Sequence, residues 1–205
     1  MGWFESEAFQ GWDWKDVAIW AAVALTLGGV IAVLVVAFAV VYPPKATADD
    51  AALGRFALSL SPESTAAATI SYNVSATVSL RNPNMYRAIR YGAMAVAFSF
   101  NGSRFDDSGA VPAGAAAFRV AVGGVARPVR LPAAGVGEFR AENATGVFDV
   151  ELRVDTVMQY KGRKAKCPLV VVCPLKLQLA DTDVAATAYQ KTKCTVLRAS
   201  RMSGC

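Results

Sequence analysis

The 205-residue chain contains no histidine. That absence removes the usual general base, the serine and cysteine triads built on it, and the commonest zinc ligand. Neither a G-x-x-x-x-G-K-[ST] loop nor a G-x-G-x-x-G turn occurs, so two common phosphate cradles are missing. Cysteine is scarce and late: Cys167, Cys173, Cys194 and Cys205. The spacing of Cys167 and Cys173 is not that of a zinc knuckle. Asp106-Asp107 is the only adjacent acid pair after residue 52, and it lacks the regular spacing of a calcium loop. Nothing in sequence nominates a carboxylate pair for glycoside chemistry. The chain therefore reads as non-enzymatic, with no cofactor or metal.

Charge is missing from one long stretch. The 28 residues from Val17 to Pro44 carry none. A bilayer core of roughly 30 Å needs about 20 apolar residues in a helix. Residues 17–42 thus read as one transmembrane helix, ended by Pro43-Pro44. Trp12, Trp14 and Trp20 at one end and Tyr42 at the other suit interfacial belts. A cleaved signal peptide fits less well: the run is too long, the start is acidic, and no small-x-small site closes it. Met1 to Ser6 matches an acylation pattern, but the bulky Trp3-Phe4 pair argues for coincidence.

What remains is a short tail, residues 1–16, and a large C-terminal part. The tail holds four acids against Lys15; the rest of the chain holds 20 Lys and Arg against 12 Asp and Glu. Three N-glycosylation sequons begin at Asn73, Asn101 and Asn143, among only five asparagines. Chance supplies about 0.7. All three, and all four cysteines, lie on the larger side, which suits an oxidising compartment. The expected topology is a cytoplasmic N-terminus and an extracellular C-terminal domain.

Residues 43–52 read as a polar linker. Beyond it the period becomes two. Leu53–Leu60 is a first strand, broken by Ser61-Pro62-Glu63-Ser64. Ile70, Tyr72, Val74, Ala76, Val78 and Leu80 alternate with polar residues, as in a strand with one buried face. Further strands are expected over Ile89–Phe100, around Phe118–Val122, from Phe148 to Tyr160, and over Leu169–Leu179. Asn101-Gly102 suits a type I′ hairpin turn. Asp106–Ala117 reads as a loop, Gly123-Gly124 as a turn or bulge, and Pro132–Gly137 as a break. No crossover helix shows. Residues 181–205 show no pattern and read as a loosely ordered tail. Seven or so short strands over residues 53–180 predict an antiparallel β-sandwich.

Cys167 and Cys173, six apart, are about 20 Å apart on a straight strand and cannot pair there. The preferred bond joins Cys194 to one of them. The turn Lys161, Arg163, Lys164, Lys166 is either a solvated hairpin or a contact for acidic ligands or lipid heads.

The order of features resembles the plant family of harpin-induced and non-race-specific disease-resistance-like proteins, whose outer part is the late embryogenesis abundant group-two domain. One span is followed by a strand ending in Val78-Ser79-Leu80-Arg81-Asn82-Pro83-Asn84. Then come Ile89-Arg90-Tyr91, the Asn101-Gly102 hairpin, Leu131-Pro132, Gly146 to Val150, and Cys167 to Leu179. The segment after Asn82, Pro83 and Asn84 departs from the family pattern, and so does the Ala- and Gly-rich stretch at 106–117. The resemblance implies an immunoglobulin- or fibronectin-III-like sandwich, a plasma-membrane glycoprotein, and a role in defence or stress through binding or membrane–wall attachment. A stress-protective or lipid-handling module is the alternative. Expected partners are the membrane itself and a protein, wall polymer or anionic lipid; nucleic acid is not expected.

Overall fold

The computed structural model describes residues 13–39, 41–60, 68–180 and 189–198. The acylation pattern, Trp12, the Ser61–Ser64 break, residues 181–188 and Cys205 lie outside them. The chain divides into two compact units, residues 1–42 with 84–86, and residues 43–83 with 87–205.

The first unit is built on helix α1, Trp14–Ala39. Leu, Val, Ile and Ala surround it on every side, and each side chain from Trp14 to Val36 is exposed. Its Trp14–Val36 segment has a mean hydropathy of 2.6, so α1 is long and apolar enough to cross a membrane. It starts three residues before the uncharged run and ends before Tyr42.

The second unit is mostly antiparallel β. Its strands are β1 Lys45–Leu60, β2 Ala68–Arg81, β3 Ile89–Tyr91, β4 Met94–Phe100, β5 Ser103–Val111 and β6 Ala117–Val129. After helix α2, Ala133–Thr145, come β7 Val147–Tyr160, β8 Cys167–Gln178 and β9 Thr192–Arg198. The hydrogen-bonded order is β5-β4-β7-β8-β9-β1-β2-β6, with β3 on β7. The expected sandwich is thus, among the described residues, one continuous sheet. It bends until its outer strands β5 and β6 face each other, giving a nearly closed, barrel-like wall. Gly109 permits this: a Cβ there would lie 2.9 Å from the Val96 Cβ and 3.2 Å from a Val120 methyl on β6.

The alternation read in β2, β4, β7 and β8 is the buried alternation of the structure. Four other readings need correction. Residues 45–52 are not a linker but the start of β1, paired with β2 from Lys45↔Arg81 onward. Register shifts at Ala48/Asp50 and Leu53/Arg55 change which parity faces inward, so Ala46, Ala48, Ala51 and Leu53 are buried without a regular pattern. The first half of the expected 106–117 loop, residues 106–111, belongs to β5, with Asp106 buried. The stretch 192–198 is β9, whose inner face shows only Thr192, Cys194 and Val196, half-buried. And 133–145 is a helix, hidden because Ala and Gly give it no apolar stripe. The Ile89–Phe100 strand breaks at Gly92-Ala93 into β3 and β4. Gly123-Gly124 falls at a bulge in β6.

The Asn101-Gly102 turn behaves as read. Both residues have positive φ, 46° and 71°, and Phe100 pairs with Ser103 across it.

The core is aromatic at the α2 end. Phe56 lies 4.9 Å from Phe148 and 5.5 Å from Phe100, Phe105 and Phe139, ring centre to ring centre. Phe139 is the large buried side chain of α2, and it anchors the helix over the sheet's end. Phe139→Ala should cost about 3 to 5 kcal/mol, through lost contacts and the cavity left behind. Chemical denaturation by near-UV circular dichroism would read it.

At the opposite edge of β8 a disulfide joins Cys173 to Cys194 of β9, 21 residues on. Closing a loop of that length should stabilise by about 3 kcal/mol. Cys194→Ser should lower the denaturation midpoint accordingly, and reduction should then change that variant less than the native chain.

Candidate functional site

Strand direction collects one kind of residue at one rim of the sheet. β1 begins there with Lys45, opposite Arg81 at the end of β2. The Asn82 side-chain amide donates to the Arg87 carbonyl at 2.7 Å. The Lys161 N–H donates to the Ala88 carbonyl at 2.8 Å, and β3 pairs with the last residues of β7. These bonds draw Lys45, Arg81, Arg87, Arg90 and the Lys161–Lys166 turn into one rim. Gln159 fixes the turn by donating to the Arg163 carbonyl at 2.8 Å. Lys161, Arg163, Lys164 and Lys166 are all exposed. No Asp or Glu occurs in the rim segments 43–48, 81–94, 112–119 and 156–170. Nine Lys and Arg, Arg119 among them, lie in these segments, and positive charge gathered at one rim attracts anions.

Beside the turn an open cleft of about 220 Å³ is lined by Arg90, Tyr91, Gly92, Val157, Gln159 and Lys166. The Tyr91 hydroxyl is buried and has no hydrogen-bond partner among the described residues. Burial, then the neighbouring Tyr160, pushes it up to about 12.

The sequence motif Asn82, Pro83, Asn84 has a mechanical role here. Asn82 closes the loop onto Arg87, as above. Asn84 belongs with the helical unit: it accepts from the Tyr42 N–H at 2.8 Å and donates to the Tyr42 carbonyl at 2.8 Å. Its amide thus imitates a strand partner for the chain leaving α1. Met85 and Tyr86 follow, 88% and 57% exposed.

The other rim is different. Glu138, Glu142, Asp149 and Glu151 line an open cleft of about 340 Å³ together with Lys176. Sequence reasoning missed this gathering because α2 was not foreseen. Three of these carboxylates are engaged in structure. Glu138 accepts from Asn101, Glu142 accepts from the Asp149 N–H at 3.2 Å, and Asp149 meets Lys176 at 3.6 Å. Burial raises Glu142, the Asp149 N–H opposing it. These bonds clip α2 to the hairpin and to β7.

Among the described residues no group of three His, Cys, Asp or Glu could hold a metal ion. Cys173 is bonded to Cys194, and Cys167 is also disulfide-bonded. Asn73 on β2, Asn101 in the turn and Asn143 on α2 are all exposed, and the structure scatters them over the second unit.

No family model, curated protein or solved structure matches this chain. The function must therefore be argued from the geometry.

Inside the wall, Tyr72 donates to buried Asp106 at 2.5 Å, and Asp106 also accepts from the Ser108 N–H and hydroxyl, both at 2.7 Å. This ties β2 to β5 across the interior. Burial, then the Asp106 bond, raises Tyr72 to about 12. Tyr72 and Tyr91 both lie above the ordinary value of 10. A raised pKa favours the neutral, folded form: its stability is whole below the unfolded value and is lost as pH climbs through the folded one. The denaturation midpoint should stay level to about pH 9 and fall between about 10 and 12. In a Tyr72→Phe, Tyr91→Phe double variant the alkaline fall should be shallower.

Proposed function

We propose that this protein is a non-enzymatic binding module, anchored by α1 in the plasma membrane and displaying its β domain outside the cell. In this reading it belongs with the harpin-induced and non-race-specific disease-resistance-like proteins. It acts in plant defence or stress response, as an adaptor or a membrane-to-wall attachment. The finer fold assignment, an immunoglobulin- or fibronectin-III-like sandwich, belongs to the same reading. A sheet this strongly bent differs from a sandwich mainly in sharing corner strands, and β9 is such a corner.

The observation that carries the proposal is a filled core beneath a basic, exposed rim. A lipid-handling domain needs an apolar chamber for its cargo. Here Phe56, Phe98, Phe100, Phe105, Phe139 and Phe148 occupy the interior, each under 9% exposed. The clefts described above are open and lined in part by charged side chains. Binding at the surface suits this shape better than carriage within it. The acidic cleft at the α2 rim supports the non-enzymatic reading too, since three of its four carboxylates, Glu138, Glu142 and Asp149, hold backbone and side-chain partners rather than standing ready for proton transfer. The exposed sequon asparagines and the paired cysteines support placement outside the cytosol.

The test is topology. Express the tagged chain in a secretory host and treat its membranes with an N-glycosidase. A gain in gel mobility, abolished by Asn73→Gln, Asn101→Gln and Asn143→Gln together, is the expected result. An unglycosylated chain whose large domain is digested by protease added from the cytosolic side would overturn the placement and the wall-attachment role with it.

A further inference from the structure

We infer that the cleft between Arg90 and Lys166 is a binding site for a sugar acid, a ring that carries one carboxylate and free hydroxyls. Such a ligand is what a membrane-to-wall attachment would hold, so its source rests on the reading proposed above. The cleft itself lies wholly within the β unit.

Register sets the frame. Arg90 pairs with Gln159, and Met158 pairs with Cys167, so Lys166 stands beside Gln159 on its other side. Neighbouring strands lie about 4.8 Å apart, which puts the backbones of Arg90 and Lys166 about 10 Å apart with Gln159 between them. Tyr91, Met158 and Cys167 are buried, so by alternation Arg90, Gln159 and Lys166 stand on the outer face. Neither Arg90 nor Lys166 makes an ion pair among the described residues. No Asp or Glu occurs over 87–94 or 156–170. The next carboxylate along β7, Asp155, is paired with Arg153 at 3.0 Å. Two cations facing one gap favour a carboxylate between them, and an arginine fork matches its two oxygens.

Gln159 adds a second requirement. Its side-chain nitrogen donates to the Arg163 and Lys164 carbonyls at 2.8 and 3.4 Å, and so is spent on the turn. The amide oxygen is left as an acceptor beside the two cations, and an acceptor there calls for a hydroxyl rather than a second anion. Along the strands from this row the wall is apolar. Val157 is 41% exposed, and Gly92 leaves it uncovered, since a Cβ there would lie 3.8 Å from the Val157 Cβ. The C–H face of a sugar ring fits such a ledge. A bare phosphate would use the cations but neither the acceptor nor the ledge. The volume of about 220 Å³ suits a single ring.

The test is calorimetry on the full chain in detergent micelles, titrated with galacturonate trisaccharide. The expected result is saturable binding. The methyl ester of the same trisaccharide keeps the rings and hydroxyls but not the charge, and should bind at least tenfold more weakly. Arg90→Gln and Lys166→Gln, each checked for native circular dichroism, should each weaken binding by about tenfold. Lys161→Gln and Lys164→Gln remove the same charge from the turn but do not line the cleft, and should change affinity by less than about threefold. Equal losses in all four variants would overturn the site in favour of a diffuse field. Inorganic phosphate that displaces the trisaccharide at equal or lower concentration would overturn the sugar acid in favour of a bare anion. No binding by the native chain would overturn the inference and leave the topology standing. Binding as expected by a chain whose topology proves inverted would uphold the cleft and overturn the wall as the source of its ligand.

Discussion

The β domain depends on how β9 is held. β9 is the strand through which the two halves of the sheet meet near the cationic rim: Thr192 to Cys194 pair with β1, and Thr195 to Arg198 with β8. At the α2 rim the halves meet directly, with Leu53 bridging Leu179 and the Ala180 N–H donating to the Leu53 carbonyl at 2.9 Å. β9 is short and only half-buried, so apolar burial holds it weakly. The Cys173–Cys194 bond supplies what burial does not, by removing open conformations of the chain between them. Lys191 adds an ion pair to Asp49 of β1 at 2.5 Å, and the hydrogen bond from Lys191 is the first reason that Asp49 titrates below its ordinary range. Without this seam, β1 and β8 would each present an unpaired edge to solvent and to other chains.

The same seam decides what the domain can do. A nearly closed sheet with Phe56 packed among four other rings has little internal space to give to a ligand. Chemistry and recognition are pushed out to the rims. At the α2 rim the carboxylates are spent on fixing the helix: Glu138 on the hairpin, Glu142 on the β7 backbone, Asp149 on Lys176. At the other rim positive charge is gathered instead, a field that draws partners of opposite sign.

Much of the wall was legible in the chain because period-two burial is a strong signal where it runs long. β2 and β7 each repeat it over more than ten residues. The signal failed where geometry interrupts the period or where the buried residue is small. β1 carries two register shifts within one strand, and alanine marks its inner face, so half of it looked like linker. α2 failed for the opposite reason: its Ala- and Gly-rich stretch has one large anchor, Phe139, and an amphipathic pattern needs more than one. β9 is defined by its neighbours and its disulfide more than by its own residues. Of the candidate sites, the basic turn was visible as a charge run. Its partners Lys45, Arg81, Arg87 and Arg90 were not, because they come from three other segments that only strand pairing brings together.

The Asn82-Pro83-Asn84 segment shows why a short motif can be specific without being chemical. Proline cannot continue β2 as a ladder donor, so the chain must turn. Asn82 then satisfies the carbonyl of Arg87, five residues on, and sets the width of the loop. Asn84 satisfies both backbone groups of Tyr42, which precede two prolines and so lack a regular strand partner. Each asparagine offers a donor and an acceptor on a short stem, and aspartate would offer no donor at all. The spacing therefore fixes three things at once: where β2 stops, where Met85 and Tyr86 emerge, and how the chain leaving α1 is held. A catalytic motif places reactive atoms; this one places the end of a strand and the chain that leaves a helix.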